Sequence, residues 1–178
     1  HEFVHAWYEG VVANNETIDQ WMDEGFTTYA SAFIMNHLFN DGEGDPMVPR
    51  YNGYFNIVNA GIEEPMHIHA DHYERNAAYG LASYTKGGMF LHQLGYIIGD
   101  DVLKRTLNRY FEEWKFKHPT GKDFLRIAER ESGMVLDWYY EYWVTTTKTI
   151  DYGITAAEAE GSRTNVTLSR IGLMPMPL

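Results

Sequence analysis

The sequence predicts a mainly α-helical domain with a short β tail at its C-terminus. Three observations predict it. Apolar residues recur at helical spacing, as in Trp21, Met22, Phe26, Tyr29, Phe33, Ile34 and Leu38. Helix boundaries are marked by cap residues, with Thr120 and Asp123 at one start and Gly99 and Gly133 at two ends. Beyond Thr149 the pattern changes, and Ile150, Tyr152 and Ile154, then Val166, Leu168 and Ile171, read as strands around a turn between Glu158 and Thr164.

The elements follow in order. Residues 1 to about 9 read as a helix that ends near Gly10, and Asn14, Asn15 and Thr17 make the next stretch a loop. Thr17 or Asp19 caps a second helix that runs to about Phe39. The run Asp41-Gly42-Glu43-Gly44-Asp45-Pro46 breaks the chain. A short helix lies around Arg50 to Asn59, and Gly61 to Asn76 reads as a loop containing Pro65. Helices are then expected from Leu81 to Ile98, from Asp100 to about Lys117, from Thr120 to Glu131 and from Val135 to Val144. Residues 1–149 form the helical unit. Residues 150–178 form the strands, and Met174-Pro175-Met176-Pro177-Leu178 reads as a connection into a following module, with a flexible terminus as the alternative.

Composition narrows the function classes. A length of 178 residues suits one domain with a real core, and 15% aromatic content argues for a packed interior. The formal net charge of −11 disfavours nucleic acid and anionic membrane as partners. No apolar run approaches transmembrane length. The absence of Cys removes disulfides and thiolate metal ligands from consideration.

The chemistry is concentrated at the start. In His1-Glu2-Phe3-Val4-His5 the two histidines are four residues apart, so on a helix both rings aim at one point. Two imidazoles with a carboxylate are a common ligand set for a hydrolytic Zn2+ whose fourth position is left to water. Glu24, on the second helix, supplies the carboxylate, and Glu2 is free to act as general base toward that water. The competing reading is an exposed helix with two histidines by coincidence. A copper brace at a terminal histidine suits β-sandwiches better than this helical chain. A non-catalytic zinc-bearing interaction module is a further alternative, but it would have no need of Glu2. His67, His69 and His72 could chelate a second metal, although loop histidines more often do not.

These residues carry a resemblance. His1-Glu2-Phe3-Val4-His5-Ala6-Trp7, then Trp21-Met22-Asp23-Glu24-Gly25-Phe26, resembles the HExxHxW and W-[LM]-[ND]-E-G-F motifs of the M1 family of zinc aminopeptidases, with the same spacer of eighteen residues from Ala6 to Asp23. The stretch from Tyr79 to Gly87 is similar to the family's Y-x4-Y-x-K-G segment. Tyr110 to Thr120 resembles a following helix and Pro turn in bacterial members. The similarity extends to about Asp151.

The resemblance implies the α-helical half of a thermolysin-like zinc peptidase catalytic domain. It implies a peptide substrate that loses its N-terminal residue, with Tyr84 donating a hydrogen bond to the oxyanion. It places Tyr79 near the site and lets Asp23 orient an imidazole. Trp7 and Trp21 are expected to pack the two zinc helices together, Lys86 to pair with an acid, and Gly87 to permit close helix packing. The family's G-x-M-E-N segment, whose Glu holds the substrate amine, does not occur here. The chain therefore reads as a fragment whose partners include the missing N-terminal and C-terminal parts of a parent protein. The isolated fragment is expected to be inactive and open to self-association through its uncovered apolar face. A leukotriene-type epoxide hydrolase shares the zinc motif and is the alternative within the family.

Overall fold

A computed structural model describes residues 1–40, 42 and 44–178. The predicted break from Asp41 to Pro46 therefore lies partly outside the described residues. The chain forms two compact units, residues 1–146 and 147–178.

The first unit is helical. After a 3-10 turn at Val4–Ala6 come α1 (Gln20–Phe39), α2 (Val48–Asn59), α3 (Asn76–Gly80), α4 (Gly87–Ile98), α5 (Asp100–Trp114), α6 (Gly121–Ser132) and α7 (Asp137–Thr145). The expected helix over residues 1 to 9 is not formed. Val4 N–H donates to His1 O at 2.8 Å and Trp7 N–H to Val4 O at 2.9 Å, so the turn closes three residues back. A segment this short has too few internal bonds to offset nucleation. It is closed by Glu9, whose φ is 92°, and by Gly10 N–H donating to His5 O at 2.9 Å. A Cβ on Gly10 would meet Ala6 O at 2.9 Å, so glycine is needed there for close approach.

Cap chemistry accounts for both boundaries of α6. Thr120 and Asp123 form a reciprocal capping box at the start of α6, and Gly133, with φ of 70°, ends it in the left-handed region. Asp19 occupies the N-cap position of α1, but its carboxylate instead contacts Trp21 Nε1 and His67 Nδ1, each at 3.2 Å. Asp100 is the first residue of α5 and Gly99 its cap, and α5 stops at Trp114, short of Lys117. The expected helix from Leu81 begins earlier, at Asn76. Between α3 and α4 the chain widens into a π-helical segment, Leu81–Lys86.

Aromatic rings fill the core. Trp21, Phe26, Phe90, Tyr110, Phe124 and Tyr139 are almost fully buried. Phe26 meets Phe124 edge-to-face at 4.9 Å, and Trp21 meets Phe90 likewise at 5.1 Å. Tyr139 Oη donates to Phe90 O at 2.6 Å, which satisfies its buried hydroxyl. Trp7 does not join this core. It is 53% exposed, because the non-helical turn does not lay it against Trp21. The helices α1 and α4 instead meet backbone to backbone, where a Cβ on Gly25 would lie 2.6 Å from Gly87 Cα.

The second unit is an antiparallel hairpin of β1 (Tyr152–Glu160) and β2 (Arg163–Arg170), paired from Tyr152↔Arg170 to Glu160↔Arg163 with an irregularity between Ile154 and Ala156. Gly161, at φ 62°, makes the turn. Tyr152 Oη donates to Met176 O at 3.1 Å and accepts from Met176 N–H at 2.9 Å, which ties the chain's last residues to β1.

Candidate metal centre

Among the described residues, one group of His, Asp and Glu side chains could hold a metal ion: His1, His5 and Glu24. His1 Nε2 lies 3.1 Å from Glu24 Oε2, His5 Nε2 lies 3.3 Å from the same oxygen, and the two Nε2 atoms are 3.2 Å apart. Tetrahedral zinc with ligand bonds of about 2.0–2.1 Å separates its ligand atoms by about 3.3–3.4 Å. The triangle is close to that size. Its corners also match chemically. Two imidazole lone pairs and a carboxylate oxygen that converge repel one another unless a cation, or a proton on one of the ring nitrogens, lies between them.

The local fold explains the convergence. The turn at Val4–Ala6 brings His1 and His5 side by side, with their rings edge-on at 4.8 Å. Glu24 comes from the second turn of α1. Behind His5, its Nδ1 lies 2.7 Å from Asp23 Oδ1, 3.3 Å from Thr27 Oγ1 and 3.4 Å from Tyr8 O. A proton held on Nδ1 by these acceptors leaves the Nε2 lone pair facing the cluster. Burial lowers the His5 pKa, but the carboxylates of Asp23 and Glu24 outweigh it and the net shift is upward. Burial pushes the Asp23 carboxyl up to about 7, against the opposing pull of His5.

Tyr84 reaches the cluster from the π-helical segment. Its Oη donates to Glu24 Oε1 at 2.6 Å, and its ring stacks on His1 at 5.8 Å. Burial, and then the hydrogen bond to the Glu24 carboxylate, raise its pKa far above neutrality, so it remains a phenol and a donor. An open groove lined by His1, Thr28, Ser31, Arg50 and Tyr84 runs alongside.

The remaining expected site residues are more scattered. Glu2 is exposed, and its carboxylate takes no part in the contacts joining His1, His5, Asp23, Glu24 and Tyr84. Tyr79 packs edge-on against Tyr73 at 5.5 Å, and the carboxylates of Glu24 and Asp23 are among the causes that raise its pKa, after burial. His67 contacts Asp19, and His69 Nδ1 accepts from Asp71 N–H at 3.2 Å. Thr27 is the residue sequence reasoning missed. Its signal was available, because it stands one helical turn after Asp23 and shares its face.

The Peptidase family M1 domain matches residues 1–143 of the chain. The chain belongs to peptidase family M1. Its relatives include "Probable aminopeptidase 1" of Saccharolobus solfataricus, 26% identical over 148 residues, with 82% of this chain and 19% of the relative covered. "Aminopeptidase N" of Lactococcus lactis is 26% identical over 152 residues, covering 81% of this chain and 18% of the relative. This M1 chain thus spans about a fifth of the length of such relatives. An M1 zinc metallopeptidase from Deinococcus radiodurans superposes with a TM-score of 0.65 at 20% identity, over 82% of this chain and 32% of that one. Legionella pneumophila aminopeptidase A gives 0.62 at 17% identity, over 87% and 17%. These two likenesses establish the fold, an M1 helical domain.

Proposed function

We propose that this chain carries the zinc site of an aminopeptidase, a zinc-dependent hydrolase that removes N-terminal residues from peptides. The observation that carries the proposal is the triangle of His1 Nε2, His5 Nε2 and Glu24 Oε2, with a phenol donor on the second oxygen of Glu24. His1, His5 and Glu24 would hold Zn2+. Bound zinc supplies Lewis acidity, which acidifies water and polarises the scissile carbonyl.

The chain's own groups do the rest. Asp23 and Thr27 fix the His5 ring so that Nε2 is the free lone pair. Glu2, next to a ligand in sequence and bonded to none of its neighbours in the cluster, accepts the proton of the attacking water and passes it to the departing amine. Tyr84, whose single phenol proton is donated to Glu24 Oε1 in this structure, would turn it to the oxygen on which negative charge develops, and its raised pKa keeps that proton in place. Loss of one such donor costs about 10²–10³ in turnover.

Because the chain spans a fifth of its relatives, we assign turnover to the longer protein and zinc binding to this chain. The test compares the two on an aminoacyl-arylamide with excess zinc. The longer protein is expected to turn over, the chain alone to bind zinc with little turnover. Glu2→Gln in the longer protein should retain stoichiometric zinc and lose activity by about 10²–10⁴. Full activity of Glu2→Gln would exclude Glu2 as the base, and failure of the wild-type chain to bind zinc would refute the metal site.

A further inference from the structure

The segment that carries Tyr84 is held by an ion pair at its C-terminal end. Lys86 Nζ lies 2.7 Å from Glu63 Oε1 and donates to Thr146 O at 3.0 Å. The side chains are 1% and 6% exposed. Lys86 also stands over the Trp143 ring, 6.0 Å from its centroid. A buried pair of this kind is weak evidence for stability, since desolvation of both charges offsets most of their attraction, whereas a specific geometry is a better-attested return.

The geometry in question is the π-helical turn. Gly87 N–H donates to Ala82 O, five residues back, so Leu81–Lys86 is wider than an α-helix. Six wide-turn residues have poorer backbone bonding than the α-helical alternative, and something must hold them there. Two tethers meet at the C-terminal end. Gly87 rests on Gly25, the residue after Glu24, and Lys86 is fixed by Glu63 and Thr146. Tyr84 stands two residues before Lys86, with its Oη on Glu24.

We infer that Lys86 and Glu63 are positioning residues, which hold the π-helical turn so that the Tyr84 phenol meets Glu24 and the reacting carbonyl. For turnover this rests on the proposed role of Tyr84; for the Tyr84–Glu24 contact it does not. The pair acts on the metal site chiefly through Tyr84, so most of its effect should vanish when that hydroxyl is absent.

A double-mutant cycle tests this. Glu63→Gln, Lys86→Met and Tyr84→Phe are made singly, and each of the first two is combined with Tyr84→Phe. Zinc affinity is read on this chain by competition with a chelator, and kcat and KM on the longer protein. Glu63→Gln keeps the shape of the side chain and so guards against a Lys86→Met variant that does not fold. Glu63→Gln is expected to weaken zinc about 10-fold through the Glu24 contact. It is expected to lower kcat by up to about 10²-fold with KM little changed. In the Tyr84→Phe background both effects should shrink to within about 2-fold. Effects of Glu63→Gln that persist undiminished beside Tyr84→Phe, or no effect in either assay, would overturn the inference. Coupling in zinc affinity together with normal turnover by Tyr84→Phe would leave the positioning intact and remove the catalytic role of Tyr84.

Discussion

The two halves of the candidate metal site are built on very different footings. Glu24 stands on a twenty-residue helix whose neighbouring residues Trp21, Met22, Asp23, Gly25 and Phe26 are all buried. His1 and His5 stand on a single 3-10 turn in which Val4 alone is buried. One half is fixed by the core, and the other is held by a few backbone bonds and by what His5 touches on α1. A cation between them would join the ordered half to the looser one, so metal affinity and order at the start of the chain are linked quantities.

The largest test of that contrast removes a ligand. His5→Ala and Glu24→Ala should each abolish stoichiometric zinc binding, measured by metal analysis after gel filtration, while far-ultraviolet circular dichroism keeps the helical signal. Retention of one zinc by either variant would break the assignment.

Gly25→Ala attacks the rigid half. A methyl group there meets the Gly87 backbone at 2.6 Å. Overpacking of this kind costs about 1–3 kcal/mol, which denaturant unfolding would report. An unchanged midpoint would show that the two helices part easily, and the rigid half would not be rigid.

Asp23→Asn sharpens the comparison, because it cuts a link between the halves. It should weaken zinc about 10–100-fold by removing the charged partner of His5 Nδ1, and affinity equal to wild type would show that the turn orients His5 unaided. The smallest effect is local. Chelation should speed amide exchange at Val4, Trp7 and Tyr8 by about 10-fold while leaving Phe26 to Tyr29 unchanged. Equal exchange in both regions, with and without zinc, would erase the distinction.

What the sequence made legible divides along similar lines. The helices with explicit punctuation, such as α6 with its capping box and Gly133, stand where that punctuation put them, because caps act within a few residues. The hairpin of β1 and β2 was readable from alternation around a turn between Glu158 and Thr164. The grouping of His1, His5 and Glu24 was suggested by spacing, although the two rings converge from a 3-10 turn and not from the expected helix. Three features were not readable. The 3-10 turn at the start uses residues that also suit a helix, and only the small number of available bonds decides between them. The π-helical turn has no residue signature, since a shift from 3.6 to about 4.4 residues per turn over six positions leaves no period to detect. Glu63, in a stretch read as loop, gave no sign that it would be buried against Lys86, because a contact across that much chain depends on how α2 and α4 pack.

The contact of Gly25 with Gly87 gives this fold a joint made without side chains. Glu24 sits just before one glycine and Tyr84 three residues before the other. The approach of the two segments that carry them is therefore gauged by the thickness of the peptide backbone. The aromatic core around Phe26, Phe90 and Phe124 can exchange one large apolar residue for another, with consequences for how firmly the domain holds together but with little leverage on where carboxylate and phenol meet. The aromatic core thus bears chiefly on stability, whereas the glycine contact bears both on stability and on the placing of Glu24 and Tyr84.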